Sequence, residues 1–484
     1  MSLAVAALCA AYGWWRAVSG LHMLQQDSYD NRRYLRWFLA KPWRHLRVRR
    51  TEAKKPLAWT GRAWRIYLLA CALIGAAAWG LGWFAPALLV TWPFALVTAN
   101  VLLKPVQAAV NRSYVWKARA KLSKYGPVVV GVAGSYGKTS AKYFTARILG
   151  ERYRVLKTPE SFNTLLGVCR VINGQVKPED ALKPEHEVFV VEMGAYRRGE
   201  VRETARVVKP RYGILTSIGP EHFERFLSLE NIQATNFELI EELPGEGAAA
   251  FNCDIPECAA LADRAENTRA LRYGISRAGG DLDLWAEGIV HGPEGMRFTL
   301  AHRDGRRVEA RTALVGRHNV QNILGAALVA LEMGLTMEEI ARGIGKLEPA
   351  PHRLNVIRGA GGTIVIDDSY NSNPIGAAEA LNVLAEFRTG RRILVAPGMI
   401  ELGALHEEKN EAFGRQAAAV CDFVYLIGPE QTRPVLRGLI AGGMAESQYK
   451  VCRDLKEATA HMGKTLRPGD AVLFENDLPD LYAE

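Results

Sequence analysis

The stretch 127–140, PVVVGVAGSYGKTS, sets the tightest limit on what this chain can fold into. A β-branched run reads as a buried strand. It feeds a turn with glycines at 131, 134 and 137, and a helical pattern follows from Lys138 to Leu149. A strand that turns through glycines into a helix aims backbone N–H groups and the helix N-terminus at one point, which suits a phosphate. Lys138 would neutralise β- and γ-phosphate charge, and the Thr139 hydroxyl would face Mg²⁺. Gly134, Ser135, Gly137 and Ser140 complete the expected cradle. The spacing departs from the common phosphate loop, because Val132 stands where the first glycine belongs.

Apolar strand-like runs recur at 188–191, 212–217, 248–251, 363–366, 393–396, 423–427 and 471–474, with helix-length amphipathic stretches between most of them. Such alternation predicts an α/β architecture with largely parallel sheets. A new series starts after Pro349 and Pro351, which predicts a central ATPase domain of P-loop type over 126–349 and a Rossmann-like domain over 350–484. Residues 277–313 carry short strands and many turn residues and suggest an inserted β-ribbon. The seven cysteines are scattered without a C-x-x-C pair, which excludes a metal-finger or disulfide scaffold.

The net charge of +10 is unevenly placed: residues 1–104 hold 14 Lys/Arg against 3 Asp/Glu, and the remainder is close to neutral. The basic excess therefore does not indicate a nucleic-acid surface, and no nucleic-acid partner is expected. Residues 66–103 run for 38 positions without a charge, enough for two spans joined near Ala85 and Pro86. Trp79, Trp83 and Trp92 suit interface positions near that turn, and Trp92 suits a deeper one as well. A third span over 2–18, or an interfacial helix there, would precede a basic cytoplasmic linker over 19–65, and 105–125 would be a second linker. Basic flanks on both sides of the hairpin predict a multi-pass inner-membrane protein with its large domains in the cytoplasm, in contact with membrane lipid.

The loop at 131–140 resembles the ATP loop of the Mur ligase superfamily, and the resemblance continues in order along 126–474. TPESFNTLLG at 158–167, VEMGA at 191–195, TSIGPEH at 216–222 and GRHNVQN at 316–322 come first. HRL at 352–354, DDSYNSNP at 367–374 and MIELG at 399–403 follow. These variants are most similar to the branch that adds D-alanyl-D-alanine. The resemblance implies catalytic roles for Lys138, Glu192 and His222, with Thr139, Glu192 and His222 on metal. It implies nucleotide contacts for Asn163, Asn319, Asn322, Arg353 and Asp368, and substrate contacts for Tyr370, Asn371 and Asn373. On their own chemistry, Asn319 and Asn322 fit an adenine edge or a helix cap, and 368–371 fits a plain turn after a strand.

The reaction so implied is ATP-dependent ligation of a carboxylate to an amine through an acyl phosphate, with ATP and Mg²⁺. A cell-wall precursor peptide would accept an amino acid or dipeptide. Two departures stand out. Asn236 occupies the position of the family's carbamylated lysine, leaving the second metal ion without that ligand unless His222 and Glu238 compensate. Residues 1–125 cannot form the branch's uridine-nucleotide domain, which suggests a lipid-linked acceptor. Alternatives are a ligase or amidating synthetase acting on a non-wall acid, or a nucleotide-binding scaffold without turnover.

Overall fold

The computed structural model describes residues 2–26, 29–40, 56–160, 162–275, 281–292 and 295–477. The chain divides into two compact units, one over 1–113 and the other essentially over 114–477.

The first unit is helical. Helices Ser2–Gln26, Gly61–Leu81 and Leu88–Leu102 bury a shared core of Ala10, Ala17, Leu21, Ile66, Ala70, Ile74, Trp92 and Leu96. Ile66, Ala70, Ile74 and Ala78 recur at four-residue spacing, so one stripe of the Gly61–Leu81 helix faces this core. Gly82–Ala87 joins the last two helices as a 3₁₀ segment containing Pro86. Trp92, read at an interface or deeper, is buried with Phe38 beside it and Arg16 over its ring.

Among the described residues, one helix, Gly61–Leu81, is long and apolar enough to cross a membrane. The number is two if Thr91–Leu102 and Lys104–Tyr125, bent by 47°, make a single span. Leu88–Leu102 has 15 residues and Pro93 inside it, too short for a crossing of its own. Of the expected spans, only the first arm of the 66–103 hairpin, within Gly61–Leu81, is long and apolar enough, whereas the Ser2–Gln26 helix that holds 2–18 is not. The expectation of a multi-pass membrane location with membrane lipid as partner is corrected on this ground. One stripe of these apolar residues, with Ile66, Ala70, Ile74, Trp92 and Leu96, packs between helices, whereas Leu68, Trp79, Phe94 and Leu102 are exposed. Residues 41–55 of the basic stretch lie outside the described residues. The segment expected as a second linker, 105–125, lies within one 22-residue helix, Lys104–Tyr125.

The second unit carries two sheets. The first has nine strands: β1 (Val128–Ala133), β2 (Val155–Lys157), β3 (Val188–Glu192), β4 (Tyr212–Leu215), β5 (Ala248–Asn252), β6 (Arg269–Gly274), β7 (Leu284–Gly292), β8 (Gly295–His302) and β9 (Arg307–Thr312). Their order is β2-β3-β1-β4-β5-β6-β7-β8-β9. Strands β1 to β7 pair in parallel, and β7, β8 and β9 form an antiparallel edge. The expected inserted ribbon is thus the continuation of this sheet. Side chains alternate between faces: Val130 and Val132 enter one core with the Lys138–Leu149 and Arg317–Glu332 helices. Val129 and Ala133 enter the other with Leu165–Asn173, Glu200–Val208 and Leu229–Glu241.

The second sheet holds β10 (Asn355–Arg358), β11 (Ile364–Asp368), β12 (Arg392–Ala396), β13 (Phe423–Ile427), β14 (Tyr449–Cys452) and β15 (Ala471–Glu475), in the order β10-β11-β15-β12-β13-β14. All neighbours are parallel except β10 with β11. Val315, which precedes the Arg317–Glu332 helix, packs into this second core with Leu354 and Ile366. In both sheets the carboxyl ends of the parallel strands carry the polar segments, the edge where open α/β sheets take ligands.

Candidate nucleotide site

β1 leaves the sheet through Gly134 at φ +138° and enters the helix through Gly137 at φ +77°. A Cβ at Gly134 would run into the Thr216 hydroxyl, and one at Gly137 into the Asn322 side chain, so both positions need glycine for space as well as for dihedral angle. The segment after β4 fixes the turn. Ser135 N–H donates to the Ser217 carbonyl at 2.8 Å, Tyr136 N–H to Ser217 Oγ at 2.8 Å, and Ser135 Oγ to the Gly219 carbonyl at 2.9 Å. The helix then begins at Lys138 with no side-chain cap from Gly137, leaving its first N–H groups open toward the turn.

Lys138 Nζ donates to the Ser135 carbonyl at 2.7 Å and pairs with Glu221 at 2.6 Å. Glu192, at the end of β3, is 2% exposed. Its carboxylate receives Lys142 Nζ at 2.9 Å, Asn163 Nδ2 at 3.0 Å and the Thr139 hydroxyl at 3.3 Å. Burial alone would raise the Glu192 pKa, but Lys142 foremost, together with Lys138 and Asn163, outweighs it and the carboxyl lies below its usual value. Burial pulls Lys142 down in turn. A hydroxyl and an ionised carboxylate side by side at the mouth of a phosphate-type loop are hard oxygen donors of the kind Mg²⁺ takes. Lys142 was not among the residues singled out in the sequence. Its signal was there: it lies one helical turn after Lys138, on the same face.

No second set of such donors is gathered among the described residues. Asn236 Oδ1 accepts the Gly134 N–H at 2.8 Å and its Nδ2 donates to the Ile232 carbonyl at 2.9 Å, so both ends of the amide hold backbone. Glu238 caps the Glu200–Val208 helix, accepting Gly199 N–H at 2.7 Å and Arg202 N–H at 3.0 Å. His222 Nδ1 is engaged by Glu401, from the segment after β12, and its ring lies 4.6 Å from that of Tyr196. Among the described residues no group of three His, Cys, Asp or Glu side chains is gathered as a metal cage. The compensation expected of His222 and Glu238 is therefore not what these side chains do. Glu401 lay within the MIELG motif, but its partner could not be read from spacing.

The remaining positions divide in the same way. Asn322 abuts Gly137, whereas Asn319 turns back to the Val315 carbonyl at 2.8 Å. Arg353 stacks over the Tyr370 ring at 4.4 Å and donates to the Asn371 carbonyl at 3.4 Å. Asn373 caps the Pro374–Ala385 helix, Oδ1 accepting Gly376 N–H at 2.8 Å. Asp368, read either as a nucleotide contact or as part of a plain turn, ends β11, is buried beside Glu475, its register partner on β15, and accepts Leu354 N–H at 3.2 Å. Burial raises the Asp368 pKa, and burial together with the neighbouring Asp368 carboxyl raises that of Glu475 well above its usual value. Glu475 also escaped the sequence reading, since pairing of two acids across strands is set by register alone.

Residues 132–330 match the Mur ligase middle domain and residues 352–475 the Mur ligase glutamate ligase domain. The chain is 31% identical over 347 residues to the UDP-N-acetylmuramoyl-tripeptide–D-alanyl-D-alanine ligase of Escherichia coli K12, covering 72% of this chain and 74% of that one. It is 31% identical over 381 residues to the Mycobacterium bovis protein of the same name, with 74% and 71% covered. The crystal structure of MurF from Acinetobacter baumannii superposes with a TM-score of 0.67 at 25% identity, over 77% of this chain and 78% of that one. MurF from Thermotoga maritima in complex with ADP shares the fold at a TM-score of 0.66, 23% identity and 77% and 81% coverage. With a glycine-shaped turn, a lysine at its mouth and a hydroxyl–carboxylate pair beneath it, the chain belongs to the Mur ligase family, ATP- and Mg²⁺-dependent ligases that release ADP.

Proposed function

We propose that this chain joins D-alanyl-D-alanine to the peptide carboxylate of a UDP-N-acetylmuramoyl-tripeptide, the reaction for which its 31%-identical relatives are named. Those names specify a nucleotide-linked peptide, which replaces the lipid-linked acceptor expected from the sequence. The observation that carries the reading is the cluster of Lys138, Thr139, Glu192, Asn163 and Lys142 around one turn.

The roles follow from that cluster. The turn N–H groups and Lys138 receive the triphosphate, Lys138 exchanging Glu221 for phosphate oxygens. Thr139 and Glu192 would hold one Mg²⁺, which when bound would neutralise charge on the phosphates. Lys142 and Asn163 keep Glu192 ionised and aimed at Thr139. The acceptor carboxylate oxygen bonds to the γ-phosphorus as the bond to ADP breaks. The dipeptide amine then bonds to the acyl carbon, phosphate leaves, and the nitrogen loses a proton. The domain over 350–484 closes on the one over 126–349, with Arg353, Tyr370 and Asn371 lining the approach and excluding water from the acyl phosphate. His222 and Glu401 contribute to that closure.

The test supplies purified full-length chain with Mg²⁺-ATP, UDP-N-acetylmuramoyl-tripeptide and D-alanyl-D-alanine, and reads ADP and the ligated product by mass spectrometry. ADP release requiring both acid and amine, lost about 100-fold or more in Lys138→Ala, is the expected result. Nucleotide binding without turnover would make the chain a scaffold, and equal turnover with ammonia an amidating synthetase.

A further inference from the structure

The helical unit contains a cavity of about 190 Å³ bounded by the Gly61–Leu81, Leu88–Leu102 and Lys104–Tyr125 helices. Arg62, Arg65, Lys104, Asn100, Gln107 and Asn111 line it. Arg62 and Arg65 stand three apart on one helix face, where like charges repel. Yet among the described residues neither they nor Lys104 meets a carboxylate, and 53–150 contains no Asp or Glu at all.

Neutral groups hold the two guanidinium heads instead. Arg62 Nη2 donates to Asn100 Oδ1 at 3.2 Å and its guanidinium lies 3.8 Å from the centre of the Tyr29 ring. Arg65 Nη2 donates to Gln107 Oε1 at 2.8 Å. Asn100 is buried and fixed from its other end, Nδ2 donating to the Tyr29 carbonyl at 3.0 Å and to Asn31 Oδ1 at 2.8 Å. Gln107 is likewise fixed by donation to Asn111 Oδ1 at 2.7 Å. Each guanidinium has five N–H donors and uses one here in a hydrogen bond, so most of both forks remains for the shared cavity. Two pre-positioned forks and an ammonium, with no carboxylate partner among the described residues, match the oxygens of a phosphate ester, the forks bidentately.

We propose that this cavity is an anion site for a phosphate- or diphosphate-bearing ligand, with Arg62 and Arg65 as its principal contacts and Lys104 as a third charge. The site is separate from the turn at 131–140 and does not depend on the ligase reading. The shared chemistry could come from a nucleoside diphosphate or from a glycerophosphate headgroup.

Inorganic pyrophosphate is titrated calorimetrically into full-length Lys138→Ala protein, so that the turn at 131–140 does not contribute. Binding is expected, falling as salt rises, and weakening at least tenfold when Arg62→Gln and Arg65→Gln are added. Arg65→Lys should retain more affinity than Arg65→Gln. Tighter binding of UDP than of glycerol 3-phosphate would identify the nucleotide source, and the reverse order the headgroup source; either supports the site. Pyrophosphate should raise the melting temperature of the Lys138→Ala protein and not that of the triple variant. Absence of binding to Lys138→Ala, or equal affinity with Arg62 and Arg65 replaced, overturns the proposal. If the triple variant does not fold, Arg65→Gln on Lys138→Ala decides in its place, since Arg65 is half-buried and makes one hydrogen bond.

Discussion

Replacing Lys142 by Met tests whether the ion pair beneath the turn is what keeps Glu192 ionised. Both side chains are buried, Lys142 completely, and their charged atoms stand 2.9 Å apart. Met fills the space of the aliphatic stem but leaves Glu192 with only Asn163 and Thr139 as donors. An uncompensated buried charge costs about 3–5 kcal/mol, or roughly 6–20 °C of melting temperature for a domain of this size. The pH dependence fixes the sign. In the native chain the Glu192 pKa is depressed, so its contribution is present above the unfolded value and is lost as pH falls. Without Lys142 burial dominates and the pKa rises above the unfolded value. The penalty is then full at neutral pH and shrinks as acid protonates the carboxyl. Thermal melts from pH 5 to 8 should therefore show a wide gap between the two proteins at pH 8 that narrows toward pH 5. Adding Glu192→Gln to Lys142→Met should restore much of the lost stability at pH 8. A Lys142→Met protein that melts within about 2 °C of the native chain at every pH would refute the reasoning.

Gly134→Ala should abolish ADP binding measured by calorimetry, because the new Cβ meets Thr216 Oγ1 and the φ of +138° disfavours any side chain. Asn236→Ala leaves the Gly134 N–H without its acceptor, a loss of about 1–3 kcal/mol. It should raise the KM for ATP by roughly five- to 150-fold, with Asn236→Asp, which keeps the acceptor oxygen, recovering part of the loss. Glu475→Gln removes the carboxyl whose pKa burial and the neighbouring Asp368 raise. The native protein should lose stability as pH rises through the elevated Glu475 value, so melts at pH 9 against pH 6 should show a smaller alkaline loss in the variant.

The turn at 131–140 was legible because its chemistry is local. Glycines where φ is positive, a β-branched run before them and a lysine after them leave few alternatives to a strand–turn–helix. The alternation of apolar runs gave both sheets and most of their strands for the same reason. The uncharged run at 66–103 was read as two spans, but apolar length counts residues and does not fix where helices end: among the described residues Gly61–Leu81 alone keeps the length and apolarity for a crossing, and its Ile66, Ala70 and Ile74 lie against other helices. Lys142, Glu401 and Glu475 were missed because each acquires its meaning from a partner 50, 179 and 107 positions away, respectively.

From the amino-acid order alone came the chemistry available at the turn, since which donors and acceptors exist and where the backbone must accept positive φ are properties of neighbouring residues. Folding in three dimensions decided how those groups are spent. It turned Asn236 onto a backbone N–H instead of a metal ion, set a buried lysine under Glu192 and brought two acids into register on adjacent strands. Such assignments depend on strand order and helix packing, and distances between residues far apart in the chain are fixed only when both sheets have formed.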